Sequence, residues 1–152
     1  MKVDTLEHLI TWSSAVHRQL ADQLATAAQC SDDGPARLFV EYAITHEQKM
    51  AEQVAGLIQE SDTKALETWV YDWLEQPPQA PDAIVEISGG HVDLAALSQA
   101  LFSAHNDVMG KFHQLQARAD TSELEELIAR VIDIEEGHTR QMAQQLNRTR
   151  DM

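Results

Sequence analysis

With 152 residues the chain has room for one domain with a sizeable core and too little for two, so residues 1–152 read as a single unit. A formal charge of -14, with 11 Lys and Arg scattered singly, makes a phosphate backbone or an anionic bilayer an unfavourable partner, so neither nucleic acid nor a membrane is expected. The single cysteine, Cys30, leaves no intramolecular disulfide and no thiolate cluster. The N-terminus lacks the apolar run of a signal peptide and nowhere are there about 18 consecutive apolar residues, so a cytoplasmic protein is expected.

In chain order, Asp4 followed by Glu7 reads as an N-cap with its reciprocal carboxylate, opening a first helix over 4–29. Its apolar stripe is Leu6, Ile10, Ser13, His17, Leu20, Leu24 and Ala28, which puts His17 on the inward face. The turn at Cys30-Ser31-Asp32-Asp33-Gly34-Pro35 places a proline near the first position of a second helix over 35–59. There Val40, Ala43, Ile44, Glu47, Met50, Ala51, Val54, Leu57 and Ile58 form the buried arc, with Phe39, Tyr42 and His46 toward one flank. Glu47 lies in the middle of that arc.

Residues 60–92 change pattern: a short amphipathic helix near 63–75, with Leu66, Trp69, Val70 and Trp73 on one side, then Pro77-Pro78, then an extended run from Ala83 to Ser88. Links between adjacent antiparallel helices are usually about 2–8 residues, so this stretch suits a crossover along the length of a bundle. A third helix over 93–119 carries Leu94, Leu97, Leu101, His105, Val108, Phe112 and Leu115. Ser122 with Glu125 reads as a capping box for a fourth over 122–148, striped by Leu124, Leu127, Ile128, Val131, Glu135, His138, Met142 and Leu146. The fold class is all-α, with four helices of roughly 25 residues, each about 37 Å long.

Shifting the chain by 88 residues lays the first half over the second, with His17 on His105, Glu47 on Glu135 and Met50 on His138. Carboxylates on apolar stripes cost several kcal/mol unless paired, hydrogen-bonded or bound to metal. Two carboxylates and three imidazoles, His17, Glu47, His105, Glu135 and His138, could hold one ion or an unequal pair. Their mixed nitrogen and oxygen set suits Fe, Mn or Zn more than calcium. The same groups can also satisfy one another, His17 with Glu47 and His105 with Glu135, without any ion.

Other signals are weaker. His46-Glu47-Gln48-Lys49-Met50 begins like the zinc-protease His-Glu-x-x-His, but Met50 stands at the second ligand position and His46 is expected to point away from the stripe. Met50 and Met142 read as core filler, His8, His91 and His113 as solvated or capping residues. A haem held by His or Met would show a Soret band. Trp69, Tyr71 and Trp73 read as the crossover packing on the bundle or, if exposed, as a homodimer interface.

Two helix hairpins joined by a long crossover, with Glu135-Glu136-Gly137-His138 on the fourth helix, resemble the ferritin-like superfamily, including rubrerythrin-like di-iron carboxylate proteins. In that pattern the first and third helices each give a Glu, and the second and fourth each give Glu-x-x-His. Glu135 and His138 match, and Glu47 matches as the second-helix carboxylate. His17 and His105 stand where the single glutamates would be, and Met50 stands where a second His would be. The resemblance implies an antiparallel four-helix bundle handling metal or oxidative stress. The competing expectation is a non-catalytic interaction or regulatory bundle whose buried His and Glu are structural.

Overall fold

The computed structural model describes residues 2–31, 34–81 and 92–151. The expected extended run at 83–88, His91, and the acidic pair Asp32-Asp33 lie outside the described residues. The elements are α1 (Leu6–Cys30), α2 (Pro35–Glu60), a single turn α3 (Thr63–Leu66), a 3-10 turn (Tyr71–Trp73), α4 (Leu94–Gln116) and α5 (Ser122–Arg150). Among the described residues the class is all-helical, as expected, with an isolated bridge between Thr5 and Trp69.

Helix starts follow local chemistry. Thr5, rather than Asp4, caps α1, its hydroxyl accepting from the His8 amide at 3.3 Å. Asp4 is recruited elsewhere: its carbonyl accepts from the amides of Val70 at 2.8 Å and Tyr71 at 3.2 Å. Gly34 takes φ 146°, a conformation that side-chain-bearing residues rarely adopt, and hands the chain to Pro35 at the head of α2. Asp93 caps α4 through the amides of Ala95 and Ala96. Thr121, one residue before the expected Ser122, caps α5 by accepting from Leu124 at 3.2 Å.

The helix expected near 63–75 stops after one turn because the backbone that follows is used by distant partners. Leu6 donates to the Thr68 carbonyl at 2.9 Å, and Asp4 takes the Val70 and Tyr71 amides. This pairing turns Val70 inward, fully buried, and leaves Trp69 53% and Tyr71 49% exposed. Trp69 therefore does not share an inner face with Leu66 and Val70.

The long helices pack α1 on α2, α2 on α5 and α5 on α4, with α3 against α5 and α1. The buried stripes match the expected spacing at most positions, including Leu6, Ile10, Leu20, Leu101, Phe112 and Ile128. At the ends they drift, so that Ala27 is buried in place of Ala28 and Ile58 and Leu94 are only partly covered. Among the described residues no helix is long and apolar enough to cross a membrane.

Phe39, expected on a flank, is fully buried and among the largest core side chains. Phe39→Ala should therefore cost about 3–5 kcal/mol in urea unfolding at unchanged m-value. A loss below about 1 kcal/mol would place the ring outside the core.

Candidate metal centre

Each long helix brings one chemically active side chain to the middle of the core because its apolar stripe is interrupted there. His17 sits between Ser13 and Leu20 on α1, Glu47 between Ala43 and Met50 on α2, His105 between Leu101 and Val108 on α4, and Glu135 between Val131 and Met142 on α5. Residues three or four apart share a helix face, so apolar turns lie on both sides of Glu47 and His105, while His17 has Ser13 one turn before it and Glu135 has His138 and Thr139 one turn after it. All four are 0% exposed.

His17 is the hub. Its Nδ1 lies 2.7 Å from Glu47 Oε2 and its Nε2 lies 2.6 Å from Glu135 Oε1. Only a ring protonated on both nitrogens can donate to two carboxylates at once. Burial by itself would push His17 down; the charge of Glu135 and its hydrogen bond, joined by those of Glu47, outweigh burial and raise the imidazolium from 6.5 to about 10. Glu47 is also bound through Oε1 by His105 Nε2. Burial would raise its carboxyl, but the charge and bond of His105, with those of His17, hold it at about 2. His105 Nδ1 meets the Thr139 hydroxyl at 2.9 Å, which orients the ring.

The network is lopsided. Glu47 has a partner on each oxygen, whereas Glu135 has one, and no hydrogen-bond partner among the described residues reaches its buried Oε2. A buried carboxylate oxygen left bare costs on the order of 1–3 kcal/mol or more, so this atom is where a further cationic or protic group fits. His17, Glu47 and His105 each offer a ligand atom within 4.8 Å of one another, a mixed nitrogen and oxygen set.

Four of the five expected ligands thus meet in one layer. The pairing differs from the expected one: His17 bridges both carboxylates and His105 turns to Glu47, not to Glu135. His138 stands apart, half-buried, with Nδ1 2.7 Å from His46 Nδ1 and Nε2 2.8 Å from Gln53 Oε1. His46, expected to point away, packs between α2 and α5 at 8% exposure. Burial lowers both imidazoles; Lys49 adds to the effect on His46, and His46 then Lys49 on His138. The spacing of His46 and Gln53, seven apart on α2, carried the signal of a second face toward α5. Met50 fills the position corresponding to His138 and is fully buried.

The layer is shielded from bulk water. A cavity of about 320 Å³ between α1, α4 and residues 76–81 reaches Val16 and Ala104, the chain neighbours of His17 and His105, but none of the four polar side chains lines it. Comparison with protein-family models gives no match, and no curated protein or solved structure matches the chain.

The charge network sets a pH response of its own. His17 is raised in the fold, so its contribution is complete below its unfolded value of 6.5 and is lost as pH climbs through about 10. Glu47 is lowered, so its contribution is complete above 4.5 and is lost as pH falls through about 2. Unfolding free energy measured in chelator should peak between these limits, near pH 5–6, and His17→Gln should flatten the alkaline limb. An alkaline limb unaltered by His17→Gln would contradict the assignment of the imidazolium.

Proposed function

We propose that the chain is a ferritin-like antiparallel four-helix bundle, with residues 60–92 as the crossover between its second and third long helices. We further propose that its core binds one or two transition-metal ions in metal or oxidative-stress handling. The observation that carries this reading is the buried set of His17, Glu47 and His105, whose ligand atoms lie within 4.8 Å of one another, joined through His17 to Glu135, whose buried Oε2 is bare. The residues present fit a metal: His17, Glu47, His105 and Glu135 supply two nitrogens and up to four oxygens, the donors that iron, manganese and zinc accept.

A bound iron or manganese would supply one-electron chemistry, whereas zinc would supply a Lewis acid alone. The chain's own part is to present the donors, exclude water and move protons. His17 must give up a proton before a ring nitrogen can act as a ligand, so uptake of the ion and release of a proton are coupled. Glu47, already ionised well below neutral pH, is ready as a ligand. Thr139 holds His105 with its Nε2 directed to Glu47.

The alternative is a non-catalytic interaction bundle in which the His and Glu network is purely structural. It draws on the saturation of both His17 nitrogens by carboxylates and on the exposed Trp69 and Tyr71, whose rings lie 6.3 Å apart.

Metal content separates the two. Protein purified without chelator from supplemented medium should carry on the order of one or two ions of Fe, Mn or Zn per chain, and Glu135→Gln should reduce this at least about tenfold. Unbuffered titration should release about one proton per ion. Absence of stoichiometric metal from the unaltered protein, with Glu135→Gln changing stability alone, would establish the structural alternative.

A further inference from the structure

His46 and His138 make a second arrangement outside the buried layer. Their Nδ1 atoms are 2.7 Å apart, with ring centroids at 5.0 Å and planes at 65°. A contact that short needs a hydrogen on one nitrogen and a lone pair on the other. On the far side of the His138 ring, Nε2 faces Gln53 Oε1, a carbonyl oxygen that only accepts. Nε2 therefore carries the hydrogen, His138 Nδ1 offers the lone pair, and His46 Nδ1–H donates.

A change of tautomer at His46 would turn this hydrogen bond into two lone pairs aimed at one point between α2 and α5. Imidazole pairs of this kind suit zinc, copper and nickel, and they offer calcium or magnesium nothing. Two nitrogens each about 2.0–2.1 Å from an ion stand roughly 2.9 Å apart at square angles and about 3.4 Å at tetrahedral ones, so from 2.7 Å the rings need to separate by about 0.2–0.7 Å and pivot toward the ion. Both rings are held in place, His46 against Tyr42 at 4.4 Å and His138 by Gln53. His46 is buried, but His138 is partly covered and Gln53 beside it is exposed, so water and an ion reach the pair from the His138 side. Lys49 opposes a cation here, while Glu135 and Glu47 favour one.

We propose that His46 and His138 form an outer cation site, distinct from the buried layer, that takes a zinc-, copper- or nickel-class divalent ion with water as the remaining ligands. The site does not depend on metal binding by His17, Glu47, His105 and Glu135.

Calorimetric titration of the full chain with Zn²⁺ or Ni²⁺ tests it. His46→Gln and His138→Gln should each remove one ion per chain from the stoichiometry, and His105→Gln should retain that ion. Unchanged uptake in both His46→Gln and His138→Gln, or no uptake by the unaltered chain, overturns the outer site. A failed buried-layer reading looks different, with His105→Gln and Glu135→Gln losing nothing while the His46-dependent ion remains. Should a variant fail to fold, imidazole ¹⁵N resonances of the unaltered protein decide the matter. Zinc-induced shifts at both His46 and His138 support the proposal, and resonances unmoved by saturating zinc overturn it.

Discussion

Glu47 and Glu135 are withdrawn from water on adjacent helices, and the imidazolium between them belongs to a third. Removing His17 would leave the buried Glu135 without a hydrogen-bond partner among the described residues and Glu47 with His105 alone, at a cost of several kcal/mol that ordinary apolar packing could not offset at one position. The hydrogen bonds at 2.7 Å and 2.6 Å therefore hold α1, α2 and α5 at one level. His105 brings α4 into the same layer through Glu47 and reaches α5 through Thr139. Apolar stripes alone tolerate sliding by a turn, since Leu or Val one turn away buries similar area. A polar layer does not, and it specifies the register along all four long helices.

The inward placement of His17, Glu47, His105 and Glu135 was readable from the spacing of Leu, Ile and Val around them, because helical periodicity assigns faces. Which face meets which was not readable, because the order of helices around the core depends on contacts remote in sequence. Hence the sequence pairs His105 with Glu135 by analogy with His17 and Glu47, whereas the fold gives it Glu47. For the same reason the flank that carries His46 suits contact with a neighbouring helix, but the spacing does not name α5 as that helix. Local signals near chain ends were outweighed in a similar way: Asp4 has a good capping side chain, but its carbonyl serves Val70 and Tyr71, and Thr5 caps instead. The short helix expected through Trp73 was shortened by those long-range backbone bonds, which leave no local trace.

The repeat at an offset of 88 residues is most informative where it breaks. Met50, fully buried, fills a place that in the other half belongs to His138, and it closes that side of the layer with an apolar side chain. His138 then lies nearer the surface and meets His46 from α2. Two sets of imidazoles result at different depths, an inner one interleaved with carboxylates and an outer one of nitrogen donors alone. Their ligand chemistry differs accordingly: the inner set suits hard and borderline ions, the outer set borderline ions only.

The bare Oε2 of Glu135 is the point on which the account of the buried layer turns, and anomalous diffraction tests it most directly. Crystals grown with Mn²⁺ or Fe²⁺ and measured at the metal's absorption edge should show a peak within about 2.0–2.3 Å of oxygens from both Glu47 and Glu135 and of a ring nitrogen of His17 or His105. The same crystals showing no peak in the layer, with His17 still hydrogen-bonded to both carboxylates, would contradict the account.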